Sequence, residues 1–206
     1  MTILVKICGL TDGAAVQAAV DAGADAVGFV FYDKSPRNLS PEQAARLAAD
    51  VPANVLRIAV LLHPEAALWN EVSDALRPDV VQTDKDDFSY LRVADGIRKW
   101  PVLREGTVDE KEVLPATFVY EGTRSGHGQT VDWNSAAAIA GRGQMILAGG
   151  LTIDNVGEAI SRVAPYGVDV SSAVESAPGK KDVELIGAFV AAARAAEQTT
   201  SEEIMS

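Results

Sequence analysis

Eight short β-branched apolar runs alternate with alanine-rich stretches whose apolar residues recur at helical spacing, and nothing between them reads as a Pro-, Gly- or Ser-rich linker. These observations predict an α/β fold, a single (β/α)8 TIM barrel of parallel strands joined by crossover helices, with its fifth helix short or replaced by a loop. Eight units in 206 residues average about 26 residues each, short but within the range of such barrels. A flavodoxin-like or Rossmann sheet needs fewer strands and leaves length unexplained.

Ile3 to Cys8 reads as the first strand, followed by a helix from Asp12 to Ala22 capped by Thr11. Ala26 to Phe31 and Leu56 to Leu62 are the next strands, separated by a helix from Pro41 to Asp50 with Ser40 as its cap and proline at its first position. A helix from Pro64 to Leu76 leads to Val80 to Gln82, and a further helix, Phe88 to Lys99, leads to Val102 to Arg104. Thr117 to Tyr120, Met145 to Ala148 and Gly167 to Val170 complete the strands, with helices at Trp133 to Ala140, Ile153 to Val163 behind Thr152, and Val183 to Ala196. The barrel spans 1–197, and the polar stretch 198–206 reads as a frayed tail. Three strands are entered by similar phrases, AGADAVGF at Ala22, RPDVVQ at Arg77 and YGVDVSS at Tyr166, a repeated turn into a strand.

Composition narrows the function. Eighteen Lys and Arg against 29 Asp and Glu leave a net charge of −11, which repels a polyanion, so nucleic acid is not an expected partner. One cysteine forbids an internal disulfide, and two distant histidines offer no zinc spacing, so no metal or cofactor is expected. No run approaches the roughly 20 apolar residues of a membrane helix, and no export signal is visible, so a cytoplasmic location without membrane partners is expected. Whether the chain is a monomer or a homodimer stays open.

Chemistry in such a barrel collects at the C-terminal ends of the strands. Cys8 ends the first strand there; a lone cysteine at a strand end is most often a small buried hydrophobe, but Lys6 lies on the same side at period two, and a nearby ammonium favours the thiolate. Arg37 follows the second strand and either pairs with Asp33 or offers its guanidinium to a planar carboxylate. Asp132 closes the glycine-containing loop after the sixth strand, as a helix cap, a catalytic group or both. Gly149 and Gly150 after the seventh strand, and Asp169, Ser171 and Ser172 at the end of the eighth, occupy the place where barrels bind phosphate through backbone N–H groups. Gly122, Gly126 and Gly128 would let the sixth loop move.

In order along the chain, VKICGLT, GFVF with SPR, LLHP, the glycine loop ending in VDW, LAGGLTIDNV, and PYGVDVSSAVE with PGKKD resemble the phosphoribosylanthranilate isomerases of tryptophan biosynthesis. The resemblance implies a phosphorylated aminosugar substrate, N-(5-phosphoribosyl)anthranilate, rearranged to 1-(2-carboxyphenylamino)-1-deoxyribulose 5-phosphate without a cofactor. It implies Asp132 as general acid on the ring oxygen and Cys8 as the base at C2′. Arg37 would then face the anthranilate carboxylate, Asp169 would line the sugar beside Lys6, and Gly149, Gly150, Ser171 and Ser172 would hold the phosphate.

This chain departs from the family's pattern at three places. QTDKDD stands where the family shows QLHG, so Thr83 and Asp84 alter that wall. Ala173 replaces a glycine and would crowd the loop if the position needs a positive φ, and His127 replaces a threonine in the sixth loop. Two other readings follow: a dual isomerase that also takes the histidine-pathway aminoaldose, opposed by Cys8 where such barrels carry aspartate, and a catalytically silent barrel that binds a phosphorylated ligand or a partner protein.

Overall fold

The computed structural model describes residues 2–109, 111–122 and 130–205, without the side chains of 198–205. Eight parallel strands close in sequence order into a barrel: β1 (Leu4–Cys8), β2 (Ala26–Phe31), β3 (Leu56–Leu61), β4 (Val80–Asp84), β5 (Arg98–Arg104), β6 (Thr117–Glu121), β7 (Gln144–Leu147) and β8 (Gly167–Val170). The described residues form six α-helices: α1 (Gly13–Asp21), α2 (Pro41–Ala48), α3 (Ala66–Leu76), α4 (Trp133–Ala140), α5 (Val156–Val163) and α6 (Val183–Met205). After β8 a short antiparallel hairpin, β9 (Glu175–Ala177) and β10 (Lys180–Lys181), precedes α6. The fifth connection, 105–116, has no helix among its described residues, as expected.

The fourth connection overturns an expectation. Phe88 to Lys99 is not a helix: a 3-10 turn covers Lys85–Ser89, Gly96 turns at φ +93°, and Arg98 to Trp100 already pair with Val80 to Gln82 as the start of β5. Barrel pairing outweighs the helical period, because this register carries Trp100 into the apolar barrel floor. Asp95-Gly96 was the visible turn signal. Trp69 Nε1 donates to Arg92 O at 2.8 Å and ties the helix-free segment to α3.

The caps are also adjusted. Ser40 is the cap expected of it and, with Gln43, completes a capping box. At α1 the cap is Asp12, whose carboxylate accepts from Ala15 N, while Thr11 donates to Gly179 O of the hairpin. At α5 the helix starts later than expected, because Asn155 folds back to accept from Thr152 N and to donate to Gly150 O. The polar stretch from Gln198 continues α6 beyond the expected end at Ala196.

Two of the repeated phrases do the same work below the barrel. Asp25 and Asp79 each precede a strand and accept a backbone N–H from the preceding one, Val5 N at 2.7 Å and Arg57 N at 2.9 Å. Each carboxylate also pairs with an arginine, Arg194 and Arg57 respectively. In the third phrase the aspartate sits inside β8 and faces the interior instead.

Period two then builds the interior in layers. Leu4, Ala26, Ile58, Val80, Trp100, Val119 and Ile146 form an apolar floor. Two residues further along β1, β4 and β8 come the buried polar side chains Lys6, Gln82 and Asp169. Cys8, Asp84, Arg104, Glu121 and Ser171 line the open end above. Outside the barrel, Phe29, Phe118, Met145 and Leu147 pack against helix residues such as Trp69, Val156, Ile186 and Phe189.

Candidate active site

The strand ends enclose a cavity of about 760 Å³ lined by Cys8, Arg37, Gly149, Gly150, Asp169, Ser171 and Ser172 among others. Seven of the nine candidate residues therefore share one space. Lys6 lies just beneath it, and Asp132 does not line it.

Lys6 is fully buried and donates to Asp169 Oδ2 at 2.6 Å, while Asp169 Oδ1 is buried without a partner among the described residues. Cys8 stands two residues above Lys6 on the same face of β1. Gly28 makes room for both: a Cβ there would lie 3.1 Å from Cys8 Sγ and 3.3 Å from Lys6 Cε. Burial pulls the Lys6 ammonium down, but Asp169 and the Cys8 side chain more than restore it, leaving it above its ordinary value. Burial pushes the Asp169 carboxyl up against the pull of Lys6. Burial also pushes the Cys8 thiol up, and it outweighs the ammoniums of Lys6 and Lys181. The expected nearby ammonium is present and does favour the thiolate, but burial outweighs it and leaves the thiol above its ordinary value.

Arg37 pairs with neither Asp33 nor open solvent. Its Nε and Nη2 clasp Glu175 of β9 at 2.7 and 2.8 Å. Glu175 also accepts from Lys181 Nζ at 2.8 Å and from Gly179 N at 3.2 Å. The two cations hold the Glu175 carboxyl below its ordinary range despite burial. Gly9, at φ +75°, lets the arginine pass, since a Cβ there would lie 2.4 Å from Arg37 Cδ. Gly179 does the same for the hairpin, where a Cβ would lie 2.3 Å from Pro36 O. The hairpin therefore clamps the loops after β1 and β2 to the end of β8.

Gly149 and Gly150 adopt φ of +91° and +64°, a turn that L side chains resist. Among the described residues their N–H groups, and that of Ser172, find no acceptor, which leaves them available to an anion. Ser171 Oγ donates to Cys8 O at 3.1 Å, joining this loop to the thiol strand. Ala173 lies in a 3-10 turn, Ser172–Val174, without a positive φ, so this replacement of glycine causes no backbone strain.

The wall across the cavity is built differently. Arg104 binds Asp84 Oδ1 at 2.6 Å and Glu121 Oε1 at 2.7 Å. His63, itself at φ +46°, approaches Asp84 with Nε2 at 3.3 Å and Asp87 with Nδ1 at 3.0 Å. Asp87 also accepts from Thr83 and Tyr90, so Thr83 and Asp84 each anchor a polar network at this wall.

Asp132 is the cap of α4. Its carboxylate accepts from Asn134 N at 3.0 Å and Ser135 Oγ at 2.9 Å, its own N–H donates to Glu105, and it is exposed. The Asn134 N–H holds its carboxyl below the ordinary range. Gly126, His127 and Gly128 lie outside the described residues; Gly122 lines the cavity. Among the described residues no cluster of three His, Cys, Asp or Glu side chains could hold a metal ion, and no helix is long and apolar enough to cross a membrane.

Reasoning from sequence placed Asp84 at the wall but missed its partner Arg104, and it missed Glu121, Gly28, Glu175 and Lys181. Inward period-two positions on β4, β5 and β6 could have indicated Gln82, Arg104 and Glu121, two residues beyond the buried apolar Val80, Val102 and Val119. No local signal announces that Glu175 meets Arg37, 138 positions away.

The family description N-(5'-phosphoribosyl)anthranilate (PRA) isomerase matches residues 5–192. N-(5'-phosphoribosyl)anthranilate isomerases of Pelobacter propionicus and Geotalea uraniireducens are each 40% identical to this chain, over 97% and 92% of it and 98% of their own lengths. A crystal structure of phosphoribosyl anthranilate isomerase in complex with reduced 1-(o-carboxyphenylamino)-1-deoxyribulose 5-phosphate superposes with a TM-score of 0.79 at 33% identity, covering 94% of this chain and 100% of that one. A structure from Jonesia denitrificans gives 0.77 at 34%, covering 95% and 98%. Matched over nearly its whole length, with its thiol, glycine pair and serine pair in one cavity, the chain belongs to the phosphoribosylanthranilate isomerase family, the aldose–ketose isomerases of tryptophan biosynthesis.

Proposed function

We propose that this cavity carries out the Amadori rearrangement of N-(5-phosphoribosyl)anthranilate, with Cys8 as base, Asp132 as acid and the Gly149-Gly150 and Ser171-Ser172 loops as the phosphate seat. The observation that carries the reading is the stack of Lys6, Asp169 and Cys8 beneath backbone N–H groups that have no acceptor among the described residues. A phosphate seated on those N–H groups fixes one end of the sugar, and the unpartnered Asp169 Oδ1 is placed to accept from a sugar hydroxyl.

Asp132 protonates the ring oxygen, the C1′–O bond breaks, and the anthranilate nitrogen supplies the pair that forms the Schiff base. Cys8, as thiolate, then removes the C2′ proton; the C2′ electrons form the enolamine double bond and neutralise the iminium nitrogen. Ketonisation of the enolamine gives the aminoketose. Burial opposes the thiolate, and the ammoniums of Lys6 and Lys181, joined by the growing positive charge at the iminium, favour it. Asp132 must give up its contacts with Asn134 and Ser135 and take up a proton to act as acid. Arg37 meets the anthranilate carboxylate with Nη1, since Glu175 occupies Nε and Nη2.

The test is fluorescence-monitored turnover of freshly generated phosphoribosylanthranilate by wild type, Cys8→Ala and Asp132→Asn. Wild type should turn over, and each variant should lose about 10²- to 10⁴-fold, the range for general acid–base groups. Full activity in a variant rejects the role of that residue, and an inactive, folded wild type rejects the activity.

A further inference from the structure

We propose that Lys181 is a positioning residue of the isomerase site, one buried ammonium that both fixes Ser171 in the phosphate loop and favours the Cys8 thiolate as it forms. The proposal rests on the reading of Cys8 and the phosphate seat above.

The placement of Lys181 is unusual for a lysine. Neighbouring Lys180 is exposed, as hairpin lysines ordinarily are, whereas the Lys181 side chain has no solvent exposure. Its Nζ donates to Ser171 O at 2.8 Å, to Glu175 Oε1 at 2.8 Å and to Ser171 Oγ at 3.3 Å. Three acceptors around one nitrogen match the three donors of an ammonium, so the group is held charged even though burial draws it below its ordinary value. Ser171, gripped at both its carbonyl and its hydroxyl, passes the constraint on through its Oγ bond to Cys8 O.

The charge balance gives the ammonium its second task. Three charged groups act on the thiol, Lys6 of β1, Asp169 of β8 and Lys181 of β10, and the Arg37–Glu175 pair lies beyond Lys181. Lys6 and Asp169 neutralise each other at 2.6 Å, as do Arg37 and Glu175 at 2.7 Å. Glu175 is shared between two cations, so the Arg37–Glu175–Lys181 group retains one net positive charge, which adds to that of Lys6 in balancing an emerging thiolate buried in a medium of low dielectric. A purely structural lysine would stabilise the hairpin without acting on the thiol.

Cys8 is the chain's single cysteine, so its alkylation by iodoacetamide reports the thiolate directly and independently of turnover. The rate is measured from pH 7 to 10 for wild type, Lys181→Gln, Lys181→Met, Lys181→Arg and Lys180→Met, with circular dichroism to establish folding. Lys181→Gln keeps a donor and loses the charge, and we expect its profile to move up by about one pH unit, a rate about tenfold lower at a given pH. Lys181→Met should show the same displacement and a raised KM for phosphoribosylanthranilate, Lys181→Arg should restore the profile, and Lys180→Met should match wild type. A folded Lys181→Gln with the wild-type profile overturns the proposal, as does an unchanged KM in folded Lys181→Met. Should Lys181→Met not fold, the glutamine variant decides the outcome alone. If wild type fails to turn over the substrate, the activity is at fault, and the alkylation profiles still judge Lys181.

Discussion

On the β7–β8–β1 side of the cavity, backbone N–H groups find no acceptor among the described residues and a group of charges carries an excess of one, whereas on the β4–β5–β6 side the cavity-lining charges Asp84, Arg104 and Glu121 are closed against one another. Arg104 lies between Asp84 and Glu121, and His63 between Asp84 and Asp87. A protein of net charge −11 can hold a phosphorylated dianion only where donors outnumber acceptors, and the first side supplies that local excess. The second side is satisfied before any ligand arrives, which makes it a rigid wall. Unsatisfied donors bind, and mutually satisfied ones shape.

The largest expected effect sharpens this contrast at its reactive end. Cys8→Ser retains size and hydrogen bonding but not thiol acidity, and kcat for phosphoribosylanthranilate should fall about 10²- to 10⁴-fold with KM little changed; comparable loss in KM would place Cys8 in binding. Next comes Gly28→Ala. Its Cβ would press on Cys8 Sγ and Lys6 Cε, so turnover should drop and stability should fall by about 1–3 kcal/mol in urea unfolding.

Arg104→Met breaks the wall instead of the binding side. It leaves the carboxylates of Asp84 and Glu121 on one wall without the guanidinium between them, and stability should fall by about 1–3 kcal/mol, with kcat/KM reduced less than in Cys8→Ser. An equal or greater loss of kcat/KM would show that the wall binds as well as shapes.

The smallest effect is a pH dependence. The Asp87 hydrogen bond raises the His63 pKa above 6.5, so its folded form binds a proton more tightly than the unfolded chain. That stabilisation is complete below about pH 6.5 and is lost as pH rises through the higher folded value. His63→Gln should flatten the slope of Tm against pH above 6.5; because His63 is 64% exposed, the change should be slight, and an unaltered slope would remove His63 from the network.

The same two sides differ in how far the sequence discloses them. Cys8, Gly149, Gly150, Asp169, Ser171 and Ser172 end strands whose β-branched runs are plain, so placing the strand places the residue. β2 and β8 occur over the residues predicted for them. Helix α4 likewise covers Trp133–Ala140. The β4–β5 region was misread, because the apolar residues from Phe88 to Lys99 satisfy a helical period while the barrel requires Trp100 opposite Gln82. Glu175 and Lys181 are hidden for another reason: their partners Arg37, Ser171 and, through Ser171, Cys8 come together only once the hairpin folds over the loops. Asp132 was legible as a cap and is one; its place in the chemistry depends on a movement that no residue pattern expresses.

A crystal structure of this protein with reduced 1-(o-carboxyphenylamino)-1-deoxyribulose 5-phosphate bound tests the contrast most directly. The account predicts the phosphate on the N–H groups of Gly149, Gly150 and Ser172, with the C2′ atom beside Cys8 Sγ and the Arg104 pairs intact. A phosphate drawn instead to Arg104, with Asp84 or Glu121 displaced, would contradict it.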